Sequence, residues 1–132
     1  MTLLEKILSR PMPLAVLMGV TFTEAEPDKV VATMVVREDL CTISYSIHGG
    51  AVMALADCVG AAGTMINLSA EAKGTTTVES KTNFIGSAKA GSTVTATSTP
   101  IHKGRRTQVW QTRLVADDGR LVAVVTQTQL VL

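Results

Sequence analysis

The sequence predicts an α+β domain in which one antiparallel sheet surrounds a single long helix. An apolar helical segment stands near the middle of the chain, and four strand-like segments rich in Val and Thr follow it. The length of 132 residues suits one domain with its own core and is too short for two. We therefore expect residues 1–132 to form one domain.

The charge and the composition exclude several classes of partner. Twelve basic and eleven acidic residues leave a net charge of +1, so the chain has no basic field to attract nucleic acid. Apolar runs such as PLAVLMGV are far shorter than the roughly 20 residues of a membrane helix. The two cysteines have no metal-type spacing, and the first residues do not resemble a secretory signal. We expect a cytoplasmic protein that binds its ligand in a pocket.

The first third of the chain predicts a short helix and a hairpin. Leu3, Leu4, Ile7 and Leu8 have the spacing of an amphipathic helix, predicted over 2–10 and ending before Pro11. The segment GVTFTEAEPDKVVATMVV, residues 19–36, predicts two strands joined at EPDK. A polar link, residues 37–46, leads to the central helix.

The central helix is predicted from Gly49 to Ile66. Val52, Leu55, Val59 and Ala62 form an apolar stripe, and the rest of its surface is mostly Ala, Gly and Cys, so the helix must be covered on most sides. Two internal glycines, at positions 60 and 63, each cost about 1 kcal/mol of helix propensity relative to Ala. Close packing against them is the expected compensation.

The remainder predicts four strands, with Trp110 in the core or an interface. They are TTTVESKTNFIG (75–86), GSTVTATSTPIH (91–102), RRTQVWQTRLVA (105–116) and RLVAVVTQTQLVL (120–132). The turns are SAKAG, HKG and DDG, of which the Asp-Gly turn is the clearest hairpin signal. His102 falls in one of these turns and is expected on the surface.

Asp57 is the one charged residue within the apolar central helix. An ionised carboxylate in such a setting costs several kcal/mol unless a partner or a water-filled cleft relieves it. No Lys or Arg stands three or four residues away, which weakens the alternative of a salt-bridged or capping aspartate. The pattern favours a functional carboxylate.

The start of this helix, His48-Gly49-Gly50, suits the binding of a carbonyl oxygen. The first N–H groups of a helix have no intrahelical acceptor, and glycines let a substrate approach them, as in an oxyanion hole. The alternative is that the glycines only make a tight entry turn. Asp57 lies eight residues after Gly49, about 12 Å along the axis, so we expect a site shared by two antiparallel helices across a two-fold axis.

The segments HGGAVMALADCVG and GRRTQVWQTRLVADDGRLVAVVTQT resemble the hotdog-fold acyl-CoA thioesterases, specifically the PaaI-like group that includes 4-hydroxybenzoyl-CoA thioesterases. The resemblance implies a sheet wrapped around the helix, a homodimer that forms the active site, and commonly a dimer of dimers. It implies Asp57 as nucleophile or general base, Gly49 as the oxyanion donor, and His48 as an orienting residue. Thr77 matches the hydroxyl residue that positions water or the carboxylate in relatives.

The same resemblance proposes binding residues for the substrate, and CoA enters as part of the substrate rather than as a cofactor. Gly50 is expected beside the thioester, and the basic turn of Lys103, Gly104, Arg105 and Arg106 is the candidate for the CoA phosphates. The alternative is that this turn is only a charged hairpin tip. Thr42 and Tyr45 depart from the family, which usually has Asn or Gln at the first position and often Gly at the second.

These features predict hydrolysis of an aromatic or medium-chain acyl-CoA, without a metal. A non-catalytic protein that binds acyl-CoA or an acyl carrier protein on the same fold is the alternative that Thr42 keeps open. A hydratase or dehydratase ranks third, because relatives of that kind use a different motif.

Overall fold

The computed structural model describes all residues, 1–132, and confirms the α+β architecture: one six-stranded antiparallel sheet packs against one 18-residue helix. The helices are α1 (Leu3–Leu8), α2 (Pro13–Met18) and α3 (Gly49–Ile66), with one 3₁₀ turn at Glu38–Leu40. The strands are β1 (Thr21–Glu26), β2 (Lys29–Val35), β3 (Thr75–Phe84), β4 (Thr93–Lys103), β5 (Thr107–Val115) and β6 (Leu121–Val131).

The sheet has the spatial order β1-β2-β4-β5-β6-β3, and every neighbouring pair is antiparallel. The strand that directly follows α3 in sequence, β3, therefore lies at the far edge of the sheet and pairs only with β6. The β4–β5 hairpin extends further than the sequence predicted, because β4 continues through Lys103 and moves the HKG turn toward residues 104–106.

The predicted apolar stripe of α3 forms the centre of the core. Val52, Leu55, Val59 and Ala62 are each at most 1% exposed, and α3 contacts β2, β3, β4, β5 and β6. By its length and mean hydropathy, α3 could cross a membrane. The sequence prediction considered only uninterrupted apolar runs, which are shorter than this helix. More than half of it is buried inside the protein, however, as expected for a core helix wrapped by a sheet.

The two internal glycines of α3 are sites of close packing, as the sequence predicted. A Cβ added at Gly60 would stand 2.3 Å from Oε1 of Gln127, and one added at Gly63 would stand 2.8 Å from the ring of Trp110. Trp110 is fully buried, which confirms its predicted place in the core. His102 is exposed as predicted, but it lies in β4, paired with Val109, rather than in the turn.

The N-terminal segment differs from the prediction in two ways. The first helix covers Leu3–Leu8 rather than 2–10, because Thr2 is its N-cap and forms a capping box with Glu5. Helix α2 was not predicted from the sequence. Its signals were Pro13 at the first helical position and Gly19 in the left-handed conformation after the last, but six residues are too few for a helical period to show.

Strand β3 carries a bulge that bends it around α3. Thr77 pairs with Gln129 and Glu79 pairs with Thr128, so Val78 is the extra residue. Both Val78 and Glu79 are exposed, and Thr77 lies immediately before them with its side chain toward α3. The bulge therefore lies beside the carboxylate of the central helix.

Candidate functional site

Asp57 lies in the middle of α3 and receives two hydrogen bonds on one carboxylate oxygen. Thr77 Oγ1 donates to Asp57 Oδ1 at 2.6 Å, and Gln127 Nε2 lies 3.3 Å from the same oxygen and 3.4 Å from the Asp57 carbonyl oxygen. The donors come from β3 and β6. The structure thus brings together Asp57 and Thr77, two residues that the sequence singled out.

The second oxygen of this carboxylate, Oδ2, has no hydrogen-bond partner in the chain and is not among the fully enclosed unpaired atoms. Asp57 takes part in none of the four ion pairs, so neither a salt bridge nor a capping role explains it. Neutral donors hold one oxygen while the other stays open. This arrangement suits a nucleophile or a general base.

The neighbouring thiol of Cys58 is not a competing nucleophile. Burial raises its pKa to about 11, and the negative charge of Asp57 adds to this effect. Cys58 therefore stays protonated at neutral pH, and only the thiolate would be reactive. No group of three His, Cys, Asp or Glu side chains lies close enough together to hold a metal ion.

His48 caps the start of α3 with its side chain. Its Nδ1 accepts a hydrogen bond from the Gly50 N–H at 2.7 Å, and its carbonyl oxygen accepts from Ala51 and Val52. An Nδ1 that accepts leaves the proton of the neutral ring on Nε2, which can donate outward. The Gly49 N–H has no acceptor, and the Gly50 N–H is occupied by the cap. Of the two glycines, the structure leaves Gly49 as the free donor.

Phe84, at the end of β3, packs over this helix start. A Cβ added at Gly49 would stand 3.0 Å from Cε1 of the Phe84 ring. Phe84 itself is 57% exposed. The free N–H of Gly49 and the open oxygen of Asp57 are eight residues apart, about 12 Å along the helix. Within one chain they cannot act on the same carbonyl group.

Thr42 and Tyr45 lie on the loop just before α3. The Thr42 hydroxyl is 2.9 Å from Ser44 Oγ and 3.4 Å from Ser46 Oγ, so it belongs to a cluster of hydroxyl groups. Tyr45 has a φ of 57°, in the left-handed region that favours glycine, and its side chain is 59% exposed. The glycine that the family resemblance predicts at this position would adopt this φ without strain.

The basic turn lies near the opposite end of α3 from Gly49. Lys103 Nζ is 2.5 Å from Asp28 Oδ1 and 3.4 Å from Asn67 Oδ1, so its charge is already paired. Arg105 and Arg106 are exposed and make no ion pair. Lys103, Gly104 and Arg105 line a groove of about 300 Å³, and His48 and Gly50 line another of about 280 Å³. The four residues of the turn therefore lie together, but away from Asp57.

Gln127 and Gln129 are the members of the site that sequence reasoning missed. Both are fully buried on β6, and Gln129 Nε2 lies 2.6 Å from Thr77 Oγ1. The available signal was two glutamines at alternate positions in an otherwise Val- and Thr-rich strand. Alternation alone did not show which face was buried.

Comparison with known proteins identifies relatives of this chain. The family described as the thioesterase superfamily matches residues 46–123. Rv1847 of Mycobacterium tuberculosis, whose name assigns it to the esterases, is 33% identical over 108 residues, covering 80% of this chain and 76% of that protein. The 1,4-dihydroxy-2-naphthoyl-CoA hydrolase of Escherichia coli is 31% identical over 104 residues, covering 79% of this chain and 75% of that one. The crystal structure of a variant of thioesterase PA1618 from Pseudomonas aeruginosa has a TM-score of 0.89 and 28% identity, and the match covers 98% of this chain and 93% of that one.

Proposed function

The chain belongs to the thioesterase superfamily and is a thioester hydrolase, and we propose that its substrate is an aromatic or medium-chain acyl-CoA, cleaved to free acid and CoA. The single observation that carries the mechanism is the carboxylate of Asp57, fixed through Oδ1 by Thr77 and Gln127 and open at Oδ2. The name of the Escherichia coli relative, a hydrolase of an aromatic acyl-CoA, supports the substrate class.

In the proposed reaction Oδ2 of Asp57 either attacks the thioester carbonyl or takes a proton from water that attacks it. If Oδ2 attacks, the C–S bond breaks as an anhydride forms with Asp57, and water then hydrolyses that anhydride to release the acid and restore the carboxylate. If Oδ2 acts as a base, water itself forms the new C–O bond as the C–S bond breaks. In both routes the water oxygen ends in the free acid or the restored carboxylate, and one water proton goes to the sulfur, which leaves as CoA thiol. The negative charge that develops on the carbonyl oxygen is received by the Gly49 N–H, with His48 beside it as an orienting donor.

A homodimer completes the site in this proposal. Gly49 and Asp57 of one chain are too far apart to share a carbonyl group, so Asp57 would act with Gly49 of the partner subunit. Strand β3 supports this arrangement, since its ten residues form an edge of the sheet that can pair with a second copy. The result is one continuous sheet with two antiparallel helices, and a dimer of dimers is the expected assembly.

The basic turn is proposed to bind the nucleotide phosphates of CoA. Arg105 and Arg106 are the stronger candidates, because Lys103 is already paired with Asp28 and a carboxylate competes with phosphate. Substitution of both arginines by Ala should raise KM for an acyl-CoA and leave KM for the matching acyl-pantetheine unchanged. An equal rise for both substrates would contradict this role.

The first test measures release of thiol from a panel of aromatic and medium-chain acyl-CoAs, and it compares the turnover of the wild type with that of Asp57→Asn. We expect wild-type turnover and a loss of about a thousandfold or more in the variant, as for removal of a nucleophile or base. No wild-type turnover together with tight acyl-CoA binding would favour the non-catalytic alternative. A fully active Asp57→Asn would contradict the assignment of the carboxylate alone.

The shared site is tested at the start of the helix. Gly49→Pro removes the N–H, yet proline fits the first helical position and His48 already has the extended backbone that precedes proline. Gly49→Ala is the matched control, because it adds the same Cβ near Phe84 and keeps the N–H. We expect Gly49→Pro to lower kcat by about 100-fold or more relative to Gly49→Ala.

Co-expression of Asp57→Asn chains with Gly49→Pro chains then separates the two arrangements. In a mixed dimer one site combines the intact Asp57 of one chain with the intact Gly49 of the other, so about half of the wild-type activity per mixed dimer should return. If each chain contained its own complete site, no activity would return.

We also place the protein in the cytoplasm, which its two free cysteines support.

A further inference from the structure

A row of hydrogen bonds links the side chains of Thr75, Gln129 and Thr77 to Asp57, and it begins on the edge strand β3. Thr75 Oγ1 is 3.0 Å from Gln129 Oε1, Gln129 Nε2 is 2.6 Å from Thr77 Oγ1, and Thr77 Oγ1 is 2.6 Å from Asp57 Oδ1. Gln129 is fully buried, and it makes no hydrogen bond to the carboxylate or to the start of the helix. Its hydrogen-bonded link to Asp57 runs through Thr77.

The direction of each bond in this row follows from the charge at its end. An ionised carboxylate only accepts, so the single hydroxyl hydrogen of Thr77 must point to Asp57. Thr77 can then only accept from Gln129, which turns the NH₂ of that amide toward Thr77 and its Oε1 toward Thr75. Thr75 is able to donate there, and it shares its hydroxyl hydrogen with the Leu130 carbonyl oxygen at 3.1 Å, so the buried amide has an acceptor on one side and a donor on the other.

The row also determines which oxygen of Asp57 is open. Because Gln129 donates to the Thr77 oxygen, the hydroxyl hydrogen points away from Gln129 and toward Oδ1, and Gln127 donates to the same carboxylate oxygen. Both donors therefore hold Oδ1, and Oδ2 stays free. Without Gln129 the hydroxyl of Thr77 can rotate away, and the carboxylate loses its stronger donor.

We propose that Gln129 is a positioning residue for the hydrolysis: it fixes the Thr77 hydroxyl as a donor to Asp57 Oδ1 and so directs Oδ2 to the thioester. The proposal rests on the proposed function of Asp57. Catalysis depends on the position of the attacking group, and a misplacement of 1 Å can cost about 100-fold in rate. The effect of Gln129 should fall on kcat rather than on KM.

The test is a double-mutant cycle with Gln129→Met, Thr77→Val and the double variant, measured by release of thiol from an acyl-CoA that the wild type cleaves. We expect each single variant to lower kcat about 10-fold to 100-fold with KM changed less than about twofold. The double variant should be no slower than Thr77→Val alone, because Gln129 acts only through that hydroxyl. Gln129→Glu, which has the same shape but can only accept from Thr77, should be at least as slow as Gln129→Met.

Thr112→Val is the matched structural control, because Thr112 is fully buried and donates to Ser98 Oγ at 3.0 Å, away from Asp57. It should lose stability but keep kcat. Multiplied losses in the double variant, a loss confined to KM, or an equal loss of kcat in Thr112→Val would overturn the proposal. A substrate-free measurement separates it from the proposed function: the Thr77 hydroxyl proton should be visible by NMR as slowly exchanging in the wild type and absent in Gln129→Met. A wild type without turnover refutes the reaction, whereas a Thr77 proton unaffected by Gln129→Met refutes the positioning role.

Discussion

Substitution of Gly60 by Ala tests the packing that holds Gln127 against the central helix. In an ordinary helix the change would stabilise the protein by about 1 kcal/mol. Here the added Cβ would stand 2.3 Å from Oε1, 2.4 Å from Cδ and 2.8 Å from Nε2 of Gln127. The whole amide, which is fully buried, would have to move by about 1 Å to restore ordinary contact.

The expected magnitude follows from what that movement breaks. The bonds of Gln127 Nε2 to Asp57 are already 3.3 and 3.4 Å long, and their loss costs about 1–2 kcal/mol. Overpacking adds about 1–3 kcal/mol, and the helix propensity returns about 1 kcal/mol, so we expect a net destabilisation of about 2 kcal/mol. For 132 residues this corresponds to a fall in Tm of about 7 °C.

The measurement is urea denaturation of four proteins: wild type, Gly60→Ala, Gln127→Ala and the double variant. In the Gln127→Ala background the space beside the helix is empty, so Gly60→Ala should change sign and stabilise by up to about 1 kcal/mol. An equal destabilisation in both backgrounds, or a stabilised single variant, would refute the reasoning.

Four further predictions concern the loop and the helix around the site. His48→Ala should lower the free energy of unfolding by about 1 kcal/mol, because the Gly50 N–H loses its cap; urea denaturation showing no loss would contradict the capping role. Tyr45→Gly should raise the same free energy by up to about 1 kcal/mol, since it relieves a positive φ at an exposed residue, and a clear loss would mean that the ring packs on something. Burial raises the pKa of Cys58 to about 11 from 9.0, and it raises the pKa of Cys41 as well, so a disulfide reagent at pH 8 should react with the folded protein far more slowly than with the denatured one. Between pH 9 and 11 only the unfolded chain releases the Cys58 proton, so the stability from this group should fall in that window; a stability that rises there would contradict the assignment.

Much of the fold could be predicted because its signals are local. The helical stripe of α3, the glycines that face Gln127 and Trp110, and the Val- and Thr-rich strands each follow from periodicity or residue type. The short helix α2 was missed because its six residues do not complete two turns. The bulge at Val78 has no signal in the sequence, since it depends on how β3 bends to stay paired with β6.

The candidate site was predictable only in part, because some of its residues meet through long-range strand pairing rather than through a local pattern. Asp57 is conspicuous as a lone acid in an apolar helix, and the resemblance to the thioesterases indicated Thr77. The glutamines of β6 were not found, because in VVTQTQLV either the Gln or the Thr residues could face the core. The pairing of Thr77 with Gln129 decides this, and it joins positions 52 residues apart.

The position of β6 has a consequence for how the enzyme is made. It is the last of the six strands to leave the ribosome, yet it lies between β5 and β3 and carries both glutamines. Until it inserts, β3 has no neighbour in the sheet and Asp57 lacks the hydrogen bond that Gln127 donates from β6. A nascent chain would thus hold an apolar helix against an open sheet, with two long strand edges available to other chains. Completion of the hydrogen bonds around Asp57 and protection from aggregation are therefore one event, the insertion of a single strand.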